Sequence, residues 1–430
     1  MQSKNTLFRT CPDDDALTLA ADILRQGGLV AFPTETVYGL GGNALDPTAS
    51  MRIYAAKGRP SDNPLIVHIA DKKDVYALAE EVPPTANMLI EAFWPGPLTI
   101  ILKKKPIVPD ATTGGLPTVA IRMPSHPAAM EMIRRSGVYV AAPSANRSGR
   151  PSPTTAAHVA EDLDGVIDMI LDGGPVGIGI ESTIVDLTSD VPMILRPGFI
   201  TKEMLEAIVG PVEIDPSLVQ LDEESTGDIN STQTDTAAQA GDTSAHSPID
   251  LAKSPTPTED ETTFSESIVP GNERTISGNS APEKNIAPAL DLTLQHPKAP
   301  GMRYTHYAPQ GTLSIITDHA HPEQVTPTVT AEILRLAGQA LQEGRETAVL
   351  TTGENASAYD ELAAQPHFHL ILLGDADDGQ TVAAHLYGAL RDCDALGCEV
   401  IYSESFRRDA LGSAIMNRLV KAAGHRILVV

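Results

Sequence analysis

The sequence predicts an α/β protein: a twisted open-sheet domain followed by a smaller, largely parallel α/β domain. Three observations carry this. Short apolar runs alternate with helix-spaced segments from about residue 12 to 215, and again from Leu313 onward. Several of those runs are almost continuously apolar, as expected for strands covered on both faces. Between the two parts lies a stretch with neither pattern.

Ala16 to Gln26 has helical spacing and stops at Gly27-Gly28. Strands are expected at Leu29–Phe32, Leu65–Ile69, Leu98–Leu102, Thr118–Arg122, Val138–Ala142, Asp168–Leu171, Ser182–Asp186 and Met193–Arg196. Helices are expected at Thr48–Ala56, Thr85–Phe93, Pro127–Ser136, Thr155–Asp162 and Lys202–Val209. In the second part the expected strands are Leu313–Thr317, Thr347–Leu350, Phe368–Leu373, Glu399–Ser403 and Arg426–Val430. The helices between them are Thr328–Glu343, Gln380–Ala395 and Ala410–Ala423, an alternation that predicts an open, largely parallel sheet.

Residues 216–298 read as an acidic linker insertion. From Asp222 to Pro297 there are 14 acidic and 3 basic residues, which supply -11 of the chain's net charge of -25. Rich in Ser, Thr, Pro, Asp and Glu, this segment has too little apolar surface to offset its ordering entropy, so disorder is expected. The overall acidity argues against extensive direct nucleic-acid binding, which relies on basic surface. Cys11, Cys393 and Cys398 give neither a disulfide framework nor a zinc spacing. A reducing, cytoplasmic setting fits. There is no signal-peptide pattern and no membrane-length apolar run.

The chemistry gathers in a few loops. Phe32-Pro-Thr-Glu-Thr-Val-Tyr-Gly-Leu-Gly41 leaves an apolar run and opens into hydroxyls and glycines. One helix later comes Lys57-Gly-Arg59-Pro-Ser-Asp-Asn63-Pro-Leu-Ile-Val-His68. Hydroxyls and glycine amides can surround an anionic ligand, and fixed cations can neutralise it. Strand alternation puts Thr118 and Arg122 on one face, with Val119 and Ile121 behind. Arg122, His68 and Arg196 each lie near the end of an apolar strand, where ligands of open α/β sheets gather. The loop Pro143–Ser152 offers Ser144, Asn146, Arg147, Ser148, Arg150 and Ser152 before a helix N-terminus, a favourable place for phosphate. Gly179–Thr183 brings further hydroxyls to a strand start. Singly, each residue has a structural reading: His68 as a core histidine, Arg122 or Arg196 as an ion-pair partner, Ser144 and Asn146 as turn residues, Glu35 as an exposed turn carboxylate. Their joint occurrence points to a nucleotide-handling enzyme. Walker A, G-x-G-x-x-G, H-E-x-x-H and G-x-S-x-G patterns are all missing. A site without them works by orientation and charge stabilisation.

These segments, with Ala299-Pro-Gly-Met-Arg-Tyr-Thr-His-Tyr-Ala-Pro309, resemble the YrdC-like family, and specifically the long, two-domain threonylcarbamoyl-adenylate synthases. The resemblance implies a YrdC-like catalytic domain at 12–215, a lid or linker motif at 299–311 and a Rossmann-like C-terminal domain at 312–430. It implies a reaction in which L-threonine, bicarbonate and ATP give threonylcarbamoyl-AMP and pyrophosphate, with Mg2+ arriving on ATP. A partner transferase would then modify the tRNA adenosine beside the anticodon. By the same resemblance Thr36, His68, Arg122, Ala142 and Ser182 contact threonine. Arg59, Asn63, Thr118, Ser144, Asn146, Ser152, Arg196 and Tyr307 contact ATP, and Lys57 and Arg59 offset the charge of two converging anions. No dedicated metal ligands, general base or internal repeat is identified. The linker, with Pro300, Gly301, Arg303, Tyr304, His306 and Tyr307, is expected to cover the cavity; Thr305 stands where many relatives carry a basic residue.

Two other readings compete. A carbamoyl-adenylate-forming maturation enzyme would normally add paired cysteines, which this chain lacks. A non-catalytic RNA-binding module would need basic surface and aromatic stacking platforms.

Overall fold

The computed structural model describes residues 5–218, 299, 307–322, 324–407 and 410–430. The insertion's residues 219–298 lie outside the described residues, as do 300–306 of the linker motif. Among the described residues, the N-terminal part forms an eleven-stranded mixed sheet. In chain order its strands are β1 (Leu7–Thr10), β2 (Val30–Phe32), β3 (Gly39–Asn43), β4 (Ile66–His68), β5 (Leu98–Lys103), β6 (Thr118–Arg122), β7 (Val140–Ala142), β8 (Met169–Asp172), β9 (Thr183–Asp186), β10 (Met193–Arg196) and β11 (Glu213–Ile214). Their spatial order is β1-β8-β2-β3-β7-β4-β6-β5-β9-β10-β11.

All eight strands expected in this part form, within a residue or two at their ends. Three others carried no apolar signal. β1 and β11 are short and largely exposed. β3, Gly-Leu-Gly-Gly-Asn, has no β-branched residue, yet it pairs antiparallel with β2 and with β7. Of the glycines read as part of an anion cradle, Gly39 lines the cavity described below and Gly41 does not. A Cβ on Gly41 would sit 2.8 Å from Val140 Cγ1 and 2.9 Å from Phe32 Cε1, so the glycine is there because neighbouring side chains cross its face.

Sequence also explains how the site's helix is held. The helix Pro47–Lys57 is capped at its start by Asp46, whose carboxylate accepts from Thr48 N, and Pro47 suits the first turn. It ends at Gly58, in the left-handed region at φ 61°. That stop leaves Lys57 in the last turn, facing inward. Val119 and Ile121 of β6 enter the main core, while Ala120 joins Ile66, Ile101, Ile184 and Leu195 on the opposite face, as alternation predicted.

The second part forms a five-stranded sheet from β12 (Thr312–Thr317), β13 (Thr347–Thr351), β14 (Phe368–Leu372), β15 (Val400–Glu404) and β16 (Ile427–Val429). The order is β14-β13-β15-β12-β16, and every pairing is parallel. Layers and direction are Rossmann-like, with the two middle strands exchanged relative to the dinucleotide-binding order. Ile316, Val349 and Tyr402 pack under the helix Pro327–Gln342. Leu313, Ile315, Leu350 and Ile401 pack under the helices Gly379–Ala395 and Ala410–Ala422. Val37, Ile180 and Tyr307 join this latter cluster, tying the two sheets' cores together. Among the described residues no helix is long and apolar enough to cross a membrane.

Candidate active site

A cavity of about 690 Å³, counted with its open mouth, lies over the face of the first sheet that carries Ile66, His68 and Arg122. Eleven of the residues expected at a site line it: Thr36, Lys57, Arg59, His68, Arg122, Ala142, Ser144, Asn146, Ser182, Arg196 and Tyr307. They come from separate segments that the mixed sheet brings together. β4 lies parallel to β6 with His68 opposite Arg122, and antiparallel to β7 with Ile66 opposite Ala142.

At one end are the cations. Lys57 Nζ donates to the carbonyls of Ser144 and Asn146 and to Asn146 Oδ1. Its ammonium therefore braces the Ser144–Asn146 loop from behind as well as charging the cavity. Burial, with Arg59 nearby, pulls the Lys57 pKa well below the ordinary lysine value. Ser144 Oγ donates to Asn146 Oδ1 at 2.5 Å. Arg59 is anchored through Nη2 to the carbonyls of Asn63 (3.2 Å) and Pro64 (3.1 Å). Its buried Nε has no hydrogen-bond partner among the described residues, and neither does Asn63 Oδ1. Buried unmet groups are rare in proteins and point to a ligand. Burial brings the Arg59 pKa down to about 10, so it remains charged at neutral pH.

At the other end Arg122 Nη1 donates to Thr36 Oγ1 at 2.9 Å, and Arg122 Nη2 lies 2.8 Å from Glu35 Oε1. Glu35 is thus no exposed turn carboxylate. Burial would raise its pKa, but Arg122 outweighs that and lowers it. The sequence hid this pairing because the partners are 87 positions apart. His68 Nδ1 lies 3.1 Å from the Ile66 carbonyl, which can only accept, so this nitrogen carries the proton. Burial, reinforced by the Arg122 charge, lowers the His68 pKa to about 3. The ring is neutral and Nε2 keeps its lone pair.

Ser182 joins the two ends. Its Oγ is 2.8 Å from Thr99 Oγ1, and it accepts from Arg196 Nη2 (3.1 Å), while its carbonyl accepts from Arg196 Nε (3.0 Å). Beside it stands Glu181, the one carboxylate among the lining residues and one the sequence reading did not single out. Ser152 Oγ donates to it at 2.6 Å, Tyr387 Oη at 2.9 Å and Arg418 Nε at 3.2 Å. Burial would push the Glu181 carboxyl up; Arg418, then Arg196 and Ser152, bring it down to about 2. The available signals were a carboxylate directly before Ser182-Thr183 and a lone arginine within the apolar Ala414–Val420 run.

Three expected residues do not line the cavity. Ser152 is fully buried behind it on Glu181. Asn63 is buried beneath Arg59. Thr118 sits at the far end of β6, opposite Lys103. Of the linker motif, Tyr307 lines the cavity with φ 69° and stacks on Tyr387 at 5.0 Å, Ala308 N donates to Gly149 O, and Ala299 is buried beside Ala120. Arg303, Tyr304, Thr305 and His306 lie outside the described residues. Cys393 is a buried helix thiol and Cys398 a buried loop thiol. Among the described residues no group of three or more His, Cys, Asp or Glu side chains could hold a metal ion.

A mixed α/β sheet whose strand ends converge hydroxyls, a neutral imidazole and several arginines on one hollow defines an anion-binding enzyme site of the YrdC type. Residues 22–198 match the family described as "Telomere recombination" (Sua5_yciO_yrdC), and residues 272–424 match "Threonylcarbamoyl-AMP synthase, C-terminal domain" (Sua5_C). The chain is 41% identical to the threonylcarbamoyl-AMP synthase of Bacillus subtilis, over 97% of this chain and 95% of that one. It is 39% identical to that of Pyrococcus abyssi, over 96% of each. The solved structure of P. abyssi Sua5 complexed with L-threonine superimposes with a TM-score of 0.74 at 36% identity, covering 99% of both chains. The chain belongs to the threonylcarbamoyl-AMP synthase family, in its two-domain form.

Proposed function

We propose that this chain is an L-threonylcarbamoyladenylate synthase, a nucleotidyltransferase acting on L-threonine, bicarbonate and ATP. Threonine's amine attacks carbon dioxide and releases a proton, or attacks bicarbonate with a C–O bond breaking and water leaving, to give a carbamate. A carbamate oxygen then attacks the α-phosphorus of ATP, the bond to the β-phosphate oxygen breaks, and pyrophosphate leaves. The difficulty is bringing two anions together, and the remedy is fixed positive charge. One observation carries the reading: the cation end and the hydroxyl–imidazole end share a single cavity.

In this reading Arg59 and Arg196 meet the phosphates, with Ser144, Asn146 and Tyr307 around the nucleotide. Lys57 adds charge from behind the Ser144–Asn146 loop. Asn63, Thr118 and Ser152 act from outside the lining. Arg122 takes the threonine carboxylate with Thr36, Ala142 and Ser182 alongside, and His68 Nε2 accepts from the threonine hydroxyl or amine. Mg2+ enters as part of the ATP substrate, because Glu181 is already occupied by Arg418, Tyr387 and Ser152. Residues 12–215 form the catalytic domain and 312–430 a domain without a second active centre. The product passes to a tRNA threonylcarbamoyl transferase, which sets the reaction in the cytoplasm.

The test is pyrophosphate release with ATP and bicarbonate, with each amino acid added in turn. Threonine-dependent release is expected, falling about 100-fold or more in Arg59→Ala and Arg122→Ala at unchanged circular dichroism. Release without any amino acid would favour carbamoyl-adenylate chemistry instead.

A further inference from the structure

We infer that Arg418 and Tyr387, carried by the helices of the second sheet, are positioning residues for the nucleotide end of the cavity and act through Glu181. The inference rests on the synthase reading above. Glu181 is a negative charge in a hollow that has to receive a polyphosphate, and it shares that hollow with Arg59 and Arg196. Left unpaired it would repel ATP and draw those arginines toward itself. Arg418, completely buried, removes that conflict. Its Nε faces Glu181 Oε2 at 3.2 Å, Nη1 donates to the Pro197 carbonyl, and Nη2 reaches the Glu181 carbonyl at 3.5 Å. Those carbonyls flank Ser182 and Arg196, so one guanidinium holds both strand ends that carry them.

Tyr387 closes the other side. Its hydroxyl donates to Glu181 at 2.9–3.0 Å, and its ring stacks on Tyr307 of the linker. Both tyrosines are buried with their phenols neutral, burial being the main cause and Glu181 the next. With Ser152 also donating, the carboxylate is surrounded by donors. At the threonine end only Ser182 shares this support; Arg122, Glu35, Thr36 and His68 all come from the first sheet and its loops. The effect of losing Arg418 therefore falls mainly on ATP, with a smaller effect on threonine through Ser182.

The experiment uses the full chain and varies ATP and threonine separately in the pyrophosphate assay. Arg418→Met is expected to raise the ATP KM about tenfold while the threonine KM stays within about twofold. Arg418→Met combined with Glu181→Gln, which leaves no buried charge unpaired, should bring the ATP KM back to within about threefold of the parent. Tyr387→Phe should raise the ATP KM about threefold and spare threonine. A parental ATP KM in Arg418→Met, or a double variant no better than the single, overturns the inference. If Arg418→Met alone does not fold, the double variant and Tyr387→Phe decide: ATP and threonine KM raised alike in both would mean only a structural role. A parent chain with no threonine-dependent turnover would instead sink the synthase reading itself.

Discussion

Glu181, just before β9, and Glu404, at the end of β15, are both buried carboxylates at strand ends, one in each sheet region. Their surroundings differ in one respect. Glu181 has a cation, Arg418, as well as two hydroxyl donors, and its pKa is held down at about 2. Glu404 receives Tyr359 Oη (2.8 Å) and Asn355 Nδ2 (3.1 Å), both neutral, and burial raises its pKa. The chain thus keeps a buried charge at the cavity and suppresses one within the second sheet. The second region's buried arginines, Arg391 and Arg418, are directed at the first.

That contrast can be broken most easily at Glu181. Glu181→Gln strands Arg418 as an uncompensated buried cation and should cost about 3–5 kcal/mol in urea unfolding. Gly41→Ala should cost about 1–3 kcal/mol, because the added methyl meets Phe32 and Val140. Acid titration of stability sharpens the comparison further. Glu181's folded pKa lies below its unfolded value near 4.5, so its contribution is present above pH 4.5 and is lost as the pH falls toward 2. His68, neutral when folded, adds a loss between pH 6.5 and 3 of up to about 1.4 kcal/mol per pH unit, which His68→Gln should remove. Glu404 has the opposite sign: its raised pKa favours the fold at low pH and loses that advantage as pH rises through it. Glu404→Gln should therefore change stability by less than about 1 kcal/mol at pH 4 and be the more stable form at pH 8. Smallest of all, Glu332→Gln, which breaks the exposed pair with Arg335, should shift stability by less than about 0.5 kcal/mol.

Legibility in the sequence followed physical scale. Strands made of apolar runs were readable because burial on both faces writes itself as Val, Ile and Leu. β3 was not, since its glycines answer to Phe32 and Val140, which lie elsewhere in the chain. The site's cations and hydroxyls were readable as motifs, and eleven of the residues expected at the site meet in one cavity. Their partners were not: Glu35 with Arg122, Lys57 with the Ser144 and Asn146 carbonyls, and Glu181 with Arg418 are tertiary pairings that no local pattern encodes.

The Glu181–Arg418 contact also has a consequence in time. It spans 237 positions of the chain, with β12 to β15 made in between. A nascent polypeptide that has emerged from the ribosome through Ile214 already holds every strand of the first sheet, yet Arg418, which holds Glu181 from the second, has still to be made. The bracing of the Ser182 and Arg196 strand ends is thereby deferred until the distant helix has been translated and has docked.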